Sequence, residues 1–131
     1  MAKIVDIVEE DFTRNLNGYH SYFDGFVITL DDDSKICLGI SNSTQCCENW
    51  GYFMTNDSTW DFIDAEVLDV KVVDEILNVE RVADTYEGST MFVNIETSVG
   101  TLQFTAYNEH NGYYIHEAVV IYKDKTQSAY L

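Results

Sequence analysis

Cys46 and Cys47 carry the most reactive side chains in this chain. They sit in Gln45-Cys46-Cys47-Glu48-Asn49-Trp50-Gly51-Tyr52-Phe53, nine residues holding two thiols, an acid, three aromatics and a glycine. At the start of a short helix a thiol sees the positive end of the backbone dipoles and its pKa falls, although Glu48 opposes that. A thiol enzyme would further need His20, His110 or His116 to come within about 4 Å of a sulfur. The plainer reading packs one thiol inward and leaves the other half-exposed. A zinc site from Cys46, Cys47, His110 and His116 is disfavoured, because adjacent ligands chelate a tetrahedral ion poorly. We expect neither metal nor cofactor, and we expect binding rather than catalysis, with no catalytic residue assigned.

A second candidate is aromatic. Tyr107, His110, Asn111, Tyr113, Tyr114, His116 and Tyr122 surround the last predicted hairpin. Together with Cys46, Cys47, Glu48 and Trp50 they form a possible patch for a small molecule or peptide. Cross-strand packing is the ordinary role of such aromatics. Glycine-rich phosphate loops, G-x-S-x-G turns and H-E-x-x-H helices are absent from the sequence.

The third candidate is charge. The 131 residues carry 23 acids and seven bases, a formal net charge of −16. Direct nucleic-acid binding needs a basic surface and is excluded on that ground; anionic lipid is disfavoured likewise. A charge-steered partner would be basic. Residues 1–75 hold 16 acids against four bases, and from Glu48 to Glu75 eight acids face only Lys71. Within that stretch Asp57, Asp61, Asp64, Glu66 and Asp69 form the expected acidic face. Acidity that serves only solubility is the alternative.

These groups must be positioned by one domain, residues 1–131, since the chain has no proline and no linker-like stretch. An apolar content of 46% with nine Tyr, seven Phe and two Trp suits a packed core. The sequence shows neither a membrane-spanning apolar run nor a signal-peptide pattern, and reduced thiols fit three cysteines of which two adjoin. A soluble, cytoplasmic protein is expected.

The elements read as mainly β, α+β at most: an antiparallel sheet or meander with one or two short helices. Residues 3–8 suit an edge strand; Glu9 to Asp11 and Asn15 to Gly18 read as loop or frayed helix. Residues 25–30 and 36–41 alternate as a hairpin, expected to set Ile28 opposite Leu38, with Asp31-Asp32-Asp33 at its solvated tip and Cys37 turned from the core. Asn42 to Gln45 has helix-start chemistry, giving a turn or two through Asn49 that stops at Gly51 before Tyr52 to Met54 extends. Asn56 to Thr59 reads as a turn. In residues 65–73 Leu68, Val70 and Val72 face one way, Asp69 and Lys71 the other. Residues 74–88 are ambiguous. Residues 91–97, 101–109 and 113–123 read as a meander. Asn111-Gly112 closes its second hairpin, so that Leu102, Phe104 and Ala106 lie beside Val119 and Ile121. The same register separates His110 from His116 on opposite faces. An even loop at residues 97–100 keeps Val93 and Ile95 on the buried side. Exposed edges make a homodimer plausible.

At Gln45-Cys46-Cys47-Glu48 and Trp50-Gly51-Tyr52-Phe53 the chain resembles a family of small uncharacterised proteins from phages and Gram-positive bacteria. The likeness continues at Asp61-Phe62-Ile63-Asp64-Ala65-Glu66 and at Tyr107-Asn108-Glu109-His110-Asn111-Gly112-Tyr113-Tyr114-Ile115-His116. Asp64 and Ile115 stand where the family pattern has glycine. The resemblance implies an origin rather than a mechanism, and such an origin favours a protein that interferes with a host machine. The expectation is therefore a non-enzymatic inhibitor of a host nucleic-acid-acting or defence protein, a DNA mimic working through its acidic face. The Tyr/His ligand binder and the thiol enzyme are the alternatives.

Overall fold

The computed structural model describes residues 2–16, 18–42, 49–54, 59–73, 89–109, 117–123 and 125–131. Among the described residues ten antiparallel strands build two sheets. The first contains β1 (Ile4–Glu9), β2 (Phe12–Leu16), β3 (Tyr19–Leu30), β4 (Lys35–Ser41), β9 (Glu117–Tyr122) and β10 (Lys125–Tyr130), in the order β1-β3-β4-β9-β10 with β2 also on β3. The second contains β5 (Asn49–Met54), β6 (Val67–Val73), β7 (Ser89–Thr97) and β8 (Gly100–Glu109), in the order β5-β8-β7-β6. Trp60–Phe62 form one turn of 3-10 helix, the only helical element among the described residues.

Strict alternation explains why the sheets stack. Ile28 and Leu30, Ile36, Leu38 and Ile40, and Ala118 and Val120 point from the first sheet into one buried cluster. Met91, Val93 and Ile95 meet them from β7, and Leu102, Phe104 and Ala106 from β8. A side-chain period of two makes each strand's inner face apolar, and each sheet can bury that face only against the other.

The long β3 serves two partners on one edge. Its second half pairs with β1 (Ile7 opposite Ile28) and its first half with β2 (Phe12 opposite Phe23). The loop-or-helix expectation for Asn15 and Leu16 is thereby corrected: residues 12–16 are a strand. Ile28 lies opposite Ile36 rather than Leu38, two residues from the expected register. Leu30 N–H donates to the Ser34 carbonyl, closing a three-residue tip in which Asp33 takes φ +69°. Asp tolerates the left-handed region better than most residues, which permits this tighter turn. Cys37 is half-buried and lies outside the core cluster, as expected.

Three further expectations are corrected. Asn49 begins a strand, so no helix runs through it to Gly51; residues 43–48 lie outside the described residues. β8 and β9 are not a hairpin: β8 is flanked by β5 and β7, and β9 by β4 and β10. β8 and β9 thus lie in different sheets, and Ala118 and Val120 face the core in place of Val119 and Ile121; the expected Asn111-Gly112 turn lies outside the described residues. A bulge at Leu68 turns Val67 inward with Val70 and Val72 and puts Leu68 outside. The β7–β8 turn has its expected register, with Val93 opposite Phe104 and Ile95 opposite Leu102.

Candidate functional site

The sandwich has two ends where inward-facing positions are polar, and the one beside β1 is acidic. Tyr52, on β5, faces inward with its ring edge-on to Phe26, 5.7 Å between centroids, and stacked on Phe104 at 6.3 Å. Beyond these rings the inner row of β3 ends at Asp24, opposite Ile40. Glu9 lies opposite Phe26 at the end of β1. Asn42 Nδ2 donates to Asp24 Oδ1 at 3.0 Å. Asp11, in the β1–β2 connection, comes within hydrogen-bond reach of the Asp24 carboxylate.

The electrostatics follow from this crowding. The hydrogen bond to Asp24 and that group's charge push the Asp11 carboxyl above its ordinary value. Burial pushes the Tyr52 phenol up to about 12, helped by the charges of Glu9 and Asp24 and a hydrogen bond to Glu9. No described residue forms an ion pair with Glu9, Glu10, Asp11 or Asp24. Arg14, the nearest base in sequence, is committed elsewhere: it grips Glu117 at 2.7 and 3.0 Å. A phenol, the half-buried Phe26 ring and the carboxylates of Glu9, Asp11 and Asp24 can receive a guanidinium or ammonium group.

The acidic face expected at residues 57–69 is only partly described. Asp61, Asp64 and Asp69 are exposed and Glu66 half-buried; Asp57 lies outside the described residues. The chain around Asp64 is stitched to β1, since Asp64 N–H donates to the Ile4 carbonyl at 2.7 Å and Ile4 N–H to the Ala65 carbonyl at 2.9 Å. Asp64 has φ +70°, the region that glycine enters freely. Trp60 is 83% exposed beside Asp6, with which it lines a shallow crevice of about 120 Å³.

Of the proposed ligand patch, Cys46, Cys47, Glu48, His110, Asn111, Tyr113, Tyr114 and His116 lie outside the described residues. Trp50 and Tyr107 are on neighbouring strands but opposite faces. Trp50 packs against the core, while the Tyr107 ring covers Gly51 on the outer surface and lies 6.2 Å from Phe53. Sequence reasoning missed the acidic end because its members come from a loop, a strand and a second sheet. Only Glu9-Glu10-Asp11 was visible as a charge run.

Residues 2–120 match the family model of a domain of unknown function, DUF7448. No curated protein and no solved structure matches the chain.

Proposed function

For this chain, which belongs to the DUF7448 family, we propose a non-enzymatic role: it binds a basic surface of a partner protein through the acidic end of the sandwich. The observation that carries this reading is the convergence of Glu9, Asp11 and Asp24 around Tyr52 without a cation among the described residues. At two other places a base answers an acid. Asp32, at the β3–β4 tip, feels the charge of Lys123, and Glu96 pairs with Lys71 at 2.9 Å. A row of acids left uncompensated suits a partner that supplies lysine or arginine. Its length supports the same view. From Asp6 to Asp11 an extended chain spans about 16 Å, a scale over which duplex DNA presents several phosphates. The likeness to small phage and Gram-positive proteins supports a host nucleic-acid-acting or defence protein as the target.

The test is capture from the natural host at two salt concentrations, alongside a defined arginine-rich peptide. Binding is expected to weaken about tenfold between roughly 0.05 and 0.5 M salt, and to vanish with Asp11→Lys plus Asp24→Lys. Binding that survives this double substitution, or ignores salt, refutes the reading. If loss instead follows Asp61→Lys plus Asp64→Lys alone, the face beside Trp60 is the binding surface and the acidic end is not.

A further inference from the structure

We infer that the opposite mouth of the sandwich, between β6 and β10, binds an amphiphilic monocarboxylate, with the apolar body on Val67 and Val70 and the anionic head on Lys125. The register carries the argument. Val70 and Val72 lie opposite Ile95 and Val93, so both point towards the core. Yet Val70 is only half-buried and Val72 is exposed, because the first sheet does not cover them. Across the gap, Ile36 pairs with Tyr122 and Tyr122 with Lys125; Leu38 pairs with Val120 and Val120 with Gln127. Ile36, Leu38 and Val120 are buried. Lys125 and Gln127 therefore occupy inward positions of β10, where the pattern of the other strands calls for apolar side chains. Lys125 is exposed, so its ammonium stays hydrated at the mouth across from half-buried Val70, where an amphiphilic ligand would meet charge and apolar surface together.

The space between them is a cleft of about 530 Å³, lined by Val67, Val70, Asp69, Tyr122, Lys123 and Lys125 among others. That is within the range of small-molecule sites. A narrower crevice runs on from it between Val70, Val120 and Gln127. Among the described residues the lining bears two ammonium groups and one carboxylate, which favours a single negative charge on the ligand. Asp69 is partly engaged, accepting the Val70 N–H at 2.9 Å. Lys123 lies over the Tyr122 ring at 5.2 Å and also faces Asp32. Lys125 forms no ion pair with a described residue, so it is the anchor for the head group. In a chain of net charge −16, a cleft of this sign selects its ligand against the field of the whole molecule.

The experiment is a titration of the isotope-labelled full chain with octanoate, followed by amide chemical shifts, with 1-octanol and acetate as comparisons. Octanoate is expected to shift Val67 to Val70 and Tyr122 to Lys125 at one saturable site. Acetate lacks the body and octanol the charge, and each is expected to bind about tenfold more weakly. Lys125→Glu is expected to weaken octanoate by about tenfold or more while leaving octanol unchanged. Val70→Trp, which fills the cleft, should block both. The inference is overturned if octanoate shifts nothing at millimolar concentration, if octanol binds as well as octanoate, or if Lys125→Glu leaves octanoate binding intact. Lys125 is exposed, so its substitution reads binding even should the tryptophan variant fail to fold.

Discussion

Arg14 offers the sharpest perturbation, because one side chain ties the β2 strand across the outer face of the first sheet. Its guanidinium donates from Nη1 and Nη2 to the two oxygens of Glu117, at 3.0 and 2.7 Å, and passes 5.3 Å from the centroid of the Phe23 ring. The two side chains are 19% and 16% exposed. Breaking a buried ion pair costs about 3–5 kcal/mol, and an exposed one less than about 1 kcal/mol. Exposure this low places Arg14→Met at about 2–3 kcal/mol, most of it the isolated carboxylate of Glu117. For a chain of this length that lowers Tm by about 8 °C. The assay is a double-mutant cycle in urea with Arg14→Met, Glu117→Gln and both. The double variant should recover about 1.5 kcal/mol relative to the sum of the singles. Hydrogen exchange should show the Thr13 and Asn15 amides opening faster in Arg14→Met. A coupling below about 0.5 kcal/mol, or unchanged exchange in β2, would refute the claim that this pair holds the strand. The consequence reaches function, since β2 fixes the connection that places Asp11 beside Asp24.

Three other outcomes follow from the fold. A Cβ at Gly25 would fall 1.7 Å from the Leu38 carbonyl oxygen, so Gly25→Ala must force β3 from β4 and cost about 3 kcal/mol or more. Gly18→Ala meets nothing within 4 Å and costs only the strain of φ +86°, about 1 kcal/mol; urea melts that rank the two the other way would contradict the pairing. The Asp11 carboxyl is raised in the fold, so its contribution is present below the unfolded value near 3.8 and lost as pH rises through the folded value. Asp11→Asn should accordingly stabilise the protein at neutral pH and make little difference at pH about 3; equal stability at pH 7 would show that the two carboxylates do not interact. Tyr52 works in the same direction in alkali: its neutral phenol supports the fold below pH 10, and that support fades towards 12. Tyr52→Phe should flatten this limb of the stability curve.

Much of the architecture was legible because β-branched and aromatic residues alternate. The inner rows of β3, β4, β7 and β8 could be read directly from Phe26 to Leu30, Ile36 to Ile40, Val93 to Ile95 and Leu102 to Ala106. Connectivity was not legible. Asn111-Gly112, outside the described residues, carries the chemistry of a tight hairpin, but the chain crosses from the second sheet at β8 to the first at β9, where Ala118 and Val120 face the core. The one-residue change of face at β9 follows from that crossing. β2 was hidden because Arg14 and Asn15 look like loop residues; the strand forms since Phe12 stacks on Phe23 and Arg14 finds Glu117, contacts 11 and 103 residues away. The acidic end was hidden for a related reason. Asp24 interrupts an apolar strand, and nothing local says that Tyr52 will stand over it.

Where the charges are left uncompensated is more informative than how many there are. The triplet Asp31 to Asp33 is as dense an acidic run as Glu9 to Asp11, yet Lys3 N–H donates to Asp31 Oδ1 at 2.9 Å, and Ser34 and Lys123 hold the Asp32 carboxyl below its ordinary value. Those acids answer to the fold. At the far end the Asp24 carboxylate raises the proton affinity of Asp11, and Arg14 is engaged with Glu117. A sequence selected for solubility alone has no reason to crowd Asp11 against Asp24, since separating them would keep the charge and lose the repulsion. The crowding is therefore a cost borne by the free protein, and a cation arriving from a partner would relieve it. On this argument, binding of an arginine-rich peptide should bring the Asp11 carboxyl down towards its ordinary range, which a titration followed by carboxyl carbon shifts would read. No change in that value on binding would mean that the partner docks elsewhere.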